Sequence, residues 1–167
     1  MVVKNNNYSV LSECRISNSK QLTKVLDLGI QPLANSLKKK QYGNEEKFPL
    51  TLSFCEKSSL LQLNETIKKE ILFDKYVWVT STSSTAKKYA KNFYLNTIKN
   101  IDLDKINDLI IEIASNDGTF LKPFVENGHK KVIGVDPAKN ISDLANKNNI
   151  KTINAYWDEE CSKSLLN

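Results

Sequence analysis

No run of apolar residues in this 167-residue sequence approaches the roughly 20 that a membrane-spanning helix needs. The polar, Asn-rich opening from Met1 to Tyr8 also lacks the apolar stretch of a signal peptide, so the expectation is a cytoplasmic protein with no membrane partner. Arginine is nearly missing. Arg15 stands alone, and the formal net charge of +5 comes from lysines scattered among Asn and Ile. Specific nucleic-acid binders concentrate base on one face and favour Arg for bidentate contacts, so no nucleic-acid partner is expected. The one basic run, Lys38-Lys39-Lys40, reads as a solvated loop. Cysteines number three (Cys14, Cys55 and Cys161), an odd count with wide spacing and no export signal, which argues against a disulfide framework. Internal repeats and low-complexity segments are absent.

What is present is the composition of a globular protein, with 40% hydrophobic and 26% charged residues. The length allows one ordinary domain, or a small module followed by part of a larger one. The pattern favours the second and divides the chain into residues 1–70, 71–107 and 108–167.

The first stretch carries short strand-like runs at Lys24 to Leu28, Phe48 to Phe54 and Leu60 to Leu63, with a turn expected between Leu28 and Ala34 around Gly29 and Pro32. It reads as a small β module without a large core of its own. The second stretch holds Tyr76, Trp78 and the hydroxyl-rich run Thr80 to Thr85. A helix follows, with Ala86, Tyr89, Ala90, Phe93, Tyr94, Ile98 and Ile101 at three- and four-residue intervals forming one apolar stripe.

The third stretch is the informative one. Asp108 to Ile113 is nearly continuous apolar sequence, as in a parallel strand buried on both faces. The loop Ala114 to Gly118 follows, then a helix over Thr119 to Glu126 with Pro123 near its first turn, and a stop at Asn127-Gly128. A second strand is expected at Lys131 to Asp136, a second helix at Ile141 to Asn148 and a third strand at Thr152 to Trp157. The sum is βαβαβ, half of a doubly wound α/β sheet.

Ligands of such units sit at the carboxyl ends of the strands, here the loop from Glu112 to Gly118 and Asp136 at the tip of the second strand. A carboxylate at that tip can accept hydrogen bonds from both hydroxyls of a ribose. A dinucleotide would call for a glycine-rich turn against its pyrophosphate, but the GxGxxG pattern is absent and Asp117 would repel a phosphate. S-adenosylmethionine carries a sulfonium and an ammonium and no phosphate, so the acids at 112 and 117 favour it. The pattern alone leaves another nucleotide, or none, open, and Asp136-Pro137 would equally serve to start a helix.

The residues are more specific than the pattern. Glu112-Ile113-Ala114-Ser115-Asn116-Asp117-Gly118 resembles the donor-binding motif of the sugar C-methyltransferases, and Gly134-Val135-Asp136-Pro137-Ala138 resembles their second-strand signature. Leu26 to Leu37, Phe48 to Cys55, Leu60 to Thr66, Lys75 to Thr85 and Asn154 to Trp157 resemble further segments of that family, in order. The resemblance implies a zinc-ribbon-like N-terminal module and a Rossmann-like class I methyltransferase domain, here partial. It implies S-adenosylmethionine as cofactor, bound by Glu112, Ala114, Ser115, Asn116, Gly118, Asp136 and Pro137. The implied substrate is a nucleotide-linked 4-keto-6-deoxysugar methylated at C3, with Tyr76 a candidate to contact the sugar or its oxyanion, or else a packing residue. Trp78 is read as a packing residue.

Two departures qualify this. The family's zinc module uses two Cys-x-x-Cys pairs, whereas this chain has Cys14-Arg15-Ile16-Ser17 and Cys55-Glu56-Lys57-Ser58. Serine is a poor zinc ligand, so tight zinc is not expected, and Cys14 and Cys55 would hold a metal only with outside help. The family's general base also lies beyond the residues present, and His129, in a helix–strand turn, is not its replacement. The expectation is an N-terminal portion of a methyltransferase that lacks the catalytic base, the alternatives being a non-catalytic nucleotide- or donor-binding fragment, or a subunit of a split enzyme partnered by a separately encoded C-terminal half. A small interaction protein built on the N-terminal module is the remaining alternative.

Overall fold

The computed structural model describes residues 3–4, 7–37 and 45–165. The basic run Lys38-Lys39-Lys40 lies outside the described residues. The chain divides into two units, Met1–Leu72 and Phe73–Asn167.

The first unit runs through β1 (Val3–Lys4), β2 (Tyr8–Val10), β3 (Thr23–Pro32), β4 (Lys47–Cys55), β5 (Leu60–Leu63) and β6 (Glu65–Ile67). These make two antiparallel sheets, β1-β2-β6 and β3-β4-β5. Strand β4 buries Phe48, Ser53 and Cys55, and Tyr8 packs edge-on against Phe48, with ring centroids 5.9 Å apart. The turn expected between Leu28 and Ala34 is not there. The strand continues to Pro32 because the irregularity is absorbed by a register shift between Asp27 and Ile30. Gly29, at φ +67°, lies inside that bulge, and its N–H donates to Asp27 Oδ1 at 2.9 Å.

After α1 (Lys69–Phe73), the second unit contains a 3-10 turn (Thr80–Thr82), then α2 (Ser84–Asn100), β7 (Leu109–Ile113), α3 (Lys122–Glu126) and β8 (Lys131–Val135). It ends with α4 (Lys139–Lys147), β9 (Thr152–Ile153) and α5 (Glu159–Ser164). Ser83 caps α2, its hydroxyl accepting from the Ala86 N–H at 3.2 Å. The parallel sheet runs β7-β8-β9, with Ile111 opposite Ile133 and Val135 opposite Ile153. The core gathers Tyr94, Leu121, Phe124, Val132, Ala145 and Ile150. The protein is thus mixed α/β, with a parallel three-stranded sheet. Among the described residues no helix is long and apolar enough to cross a membrane.

Three elements differ from expectation. The helix after the first loop is five residues rather than eight, because Pro123 has no N–H to bond back and must sit in the first turn. The third strand pairs only over Thr152–Ile153: its partner β8 ends at Val135, and the Ala155 N–H turns back to the Ile153 carbonyl at 3.1 Å. And β7 is not buried on both faces. Among the described residues it pairs on one side only, with Leu109 and Ile113 exposed, while β8 is the buried one.

Candidate functional site

The loop after β7 is built from an unusual backbone. Ala114, Asn116 and Gly118 all have positive φ, at 57°, 50° and 76°. Left-handed residues at every second position fold the loop tightly on itself, at a steric cost that Asn tolerates and Ala bears less easily. A glycine at each of these positions would have announced the loop; Ala114 and Asn116 hide it from a glycine-based reading.

Two glycines fix how closely the elements approach. A Cβ at Gly134 in β8 would collide with Ser115 Oγ and with Thr152 Oγ1, so the loop lies directly over the strand. A Cβ at Gly118 would strike the Ile150 side chain.

Asp136, buried at the tip of β8, is tied on both oxygens. Oδ2 accepts from the Asn116 N–H and Oδ1 from the Ala138 N–H, each at 2.9 Å. The second bond makes Asp136-Pro137-Ala138 the turn that opens α4. Asn154 Nδ2 closes the other side, donating to the Asp136 carbonyl at 3.1 Å and the Pro137 carbonyl at 2.8 Å.

The aromatic–hydroxyl segment is laced onto this loop. Asn116 Oδ1 accepts from the Thr80 N–H at 2.9 Å and from Thr80 Oγ1 at 3.0 Å, while its Nδ2 donates to the Trp78 carbonyl at 3.1 Å. Asp117 Oδ2 accepts from the Ser81 N–H at 3.2 Å, and Oδ1 from Thr119 Oγ1 at 2.7 Å. Tyr76 is held through its backbone by Asn140 of α4, at 3.2 and 2.8 Å. Trp78, expected to pack, is exposed: its carbonyl rather than its ring is what the loop uses. Asn140, Asn154 and Thr80 were not singled out from sequence, since only tertiary contact reveals side-chain amides and hydroxyls that bond to distant backbone.

Glu112 is the electrostatic centre. Burial, with Asp117 and then Asp136 nearby, pushes its carboxyl up from 4.5 to about 7. Its Oε2 and the hydroxyl of Ser115 are buried without hydrogen-bond partners among the described residues. A buried carboxylate oxygen and a buried hydroxyl without partners, beside Asp117 and Asp136, have the chemistry to receive a cation or hydroxyl groups. Glu112 also borders a cavity of about 500 Å³ along β7, lined by apolar residues that include Phe93, Ile101, Leu103 and Phe120. His129 is buried at the opposite, amino end of β8, against Tyr94 and Phe124, where burial lowers its pKa.

In the first unit, Cys14 and Cys55 are fully buried and meet Ser17 and Ser58. Cys14 Sγ lies 3.1 Å from Ser58 Oγ, and Cys55 Sγ 3.5 Å from Ser17 Oγ.

Residues 14–73 match a family model described as "Putative zinc binding domain". Over 157 residues, 93% of this chain, the sequence is 30% identical to the C-methyltransferase NovU of Streptomyces niveus. Nearly the whole chain is thus similar to part of a C-methyltransferase. It spans 37% of the length of NovU.

The chain does not carry the donor set that its zinc-domain match implies. Two thiols and two hydroxyls meet where thiolates, imidazoles or carboxylates would be needed, and the hydroxyls are already bonded to the sulfurs. Among the described residues no group of three or more His, Cys, Asp or Glu is arranged to hold a metal. The residues present do not fit zinc.

Proposed function

We propose that the carboxyl ends of β7 and β8 bind S-adenosylmethionine, and that the protein serves the C-methylation of a nucleotide-linked 4-keto-deoxysugar in the cytoplasm. The observation that carries this reading is Glu112: a buried carboxyl, held up to about 7 by its burial and then by Asp117 and Asp136, with an orphaned oxygen, is relieved by an arriving cation. S-adenosylmethionine supplies a methyl group made electrophilic by its sulfonium charge. Glu112 would hold the cationic part of the donor. Asp136 has two of its roughly four lone-pair sites engaged by backbone, which leaves capacity for the two ribose hydroxyls. Ala114, Asn116 and Gly118 shape the loop that the donor lies along, Ser115 offers its unpartnered hydroxyl, and Pro137 sets the turn behind Asp136.

Tyr76, whose backbone is bonded to Asn140 in the same segment that Asn116 ties down, would contact the sugar or the oxyanion formed when its C3 proton leaves. The open edge of β7 supports the same reading. The apolar cavity beside it, and the outward Phe93, Ile98 and Ile101 of α2, suit a further parallel strand and its helix.

Ultraviolet irradiation with methyl-labelled S-adenosylmethionine tests the donor assignment. Labelling of the chain that S-adenosylhomocysteine competes away, and NAD does not, is the expected result. Labelling that neither compound competes, or that NAD competes equally, contradicts it.

A further inference from the structure

The two ends of the first unit's cysteine–serine pairs are built alike. Cys14-x-x-Ser17 is followed by Asn18 at φ 54°, and Cys55-x-x-Ser58 by Ser59 at φ 55°. Each is a tight turn that rotates its cysteine and its serine toward the other pair. The bonds cross between turns: Cys14 Sγ meets Ser58 Oγ at 3.1 Å, and Ser17 Oγ meets Cys55 Sγ at 3.5 Å. The Ser17 N–H also donates to Cys14 Sγ at 3.5 Å. Two buried sulfurs and two half-buried hydroxyls therefore meet and bond to one another across 38 to 44 residues of sequence.

A second, independent tie joins the first turn to the β5–β6 region. The Arg15 N–H donates to Gln62 Oε1 at 3.0 Å, and Gln62 Nε2 returns a bond to the Glu13 carbonyl at 3.2 Å. The Arg15 guanidinium donates to the Leu63 carbonyl at 3.1 Å and to Thr66 Oγ1 at 2.7 Å. Neither tie calls for a metal.

We infer that Cys14, Ser17, Cys55 and Ser58 stand at the four positions of a metal-binding knuckle pair, and that their crossed hydrogen bonds replace the metal, so that this module folds metal-free. Hydroxyl–thiol bonds satisfy the buried polar atoms that would otherwise be left open by the loss of two thiolates. They are individually weak, and the Arg15–Gln62 tie holds the same turn from the other side.

The test is made on the full chain. Purified without added metal, it should carry less than about one-tenth of an equivalent of zinc, and a chelator should move its unfolding midpoint by less than about 1 °C. Stoichiometric zinc, or unfolding by chelator, overturns the inference. The double variant Ser17→Cys/Ser58→Cys, refolded with Co(II), should show thiolate-to-cobalt charge-transfer absorption at about one equivalent, where the parent shows none. A folded double variant that takes up no cobalt overturns the claim that the four positions converge. Ser17→Ala/Ser58→Ala should lower the unfolding midpoint by several degrees, and an unchanged midpoint would show that the hydrogen bonds are not the staple.

Discussion

Asp136 holds the backbone of Asn116 across the strand ends, its Oδ2 accepting the Asn116 N–H at 2.9 Å while Oδ1 takes the Ala138 N–H. One carboxylate thus fixes both the loop after β7 and the start of α4. Asp136→Ala removes both acceptors and leaves two backbone donors unsatisfied. The expected loss is on the order of 3 kcal/mol of folding stability, together with any ribose binding. Denaturant titration checks it. A variant as stable as the parent would mean the loop holds itself.

Close approach of loop to strand makes Gly134 irreplaceable. Gly134→Ala drives a methyl into Ser115 Oγ and Thr152 Oγ1, and the loop or β9 must move. The expected cost is roughly 1–3 kcal/mol, read as a lowered unfolding midpoint. Gly118→Ala meets Ile150 and also places alanine at φ +76°, so it should cost at least as much.

Glu112 is expected to make stability, and on the proposed assignment donor affinity, depend on pH. Its folded-state pKa of about 7 lies above the ordinary 4.5, so between these values the folded protein binds a proton that the unfolded chain has released. The sign follows: the stability of the ligand-free protein falls as pH rises through that window. Binding of a cationic donor runs the other way, strengthening as pH rises toward 8 and releasing protons near pH 6. Chemical denaturation across pH 4.5 to 8 should show the fall in the parent and a flatter profile in Glu112→Gln. Equal profiles would remove Glu112 from the account.

The same variant separates charge from shape. S-adenosylmethionine bears a sulfonium that S-adenosylhomocysteine lacks, so Glu112→Gln should weaken the former by about tenfold more than the latter, as for one charge-assisted interaction. Equal losses for both compounds would place Glu112 away from the sulfur and beside the ammonium alone.

Strand β8 was readable because Val132 to Val135 is uncharged, its one glycine notwithstanding, and Asp136-Pro137 ends it sharply. The edge position of β7 was not readable, since burial on one face or two depends on which neighbour pairs with it, and apolar Leu109 to Ile113 would suit either place. The short β9 and the bulged β3 escaped for a related reason. Gly29 marks a left-handed residue, but whether that residue closes a turn or sits in a bulge is decided by the partner strand. At the site, the acids could be picked out from their positions at strand ends. The roles of Asn116, Asn140 and Asn154 could not, because each bonds to backbone at least 17 residues away.

The most direct measurement is calorimetric titration of the purified chain with S-adenosylhomocysteine at pH 8. The account predicts saturable one-to-one binding, which is lost in Asp136→Ala. A well-folded chain that releases no heat with this ligand would contradict the assignment of the β7–β8 strand ends as a methyl-donor site.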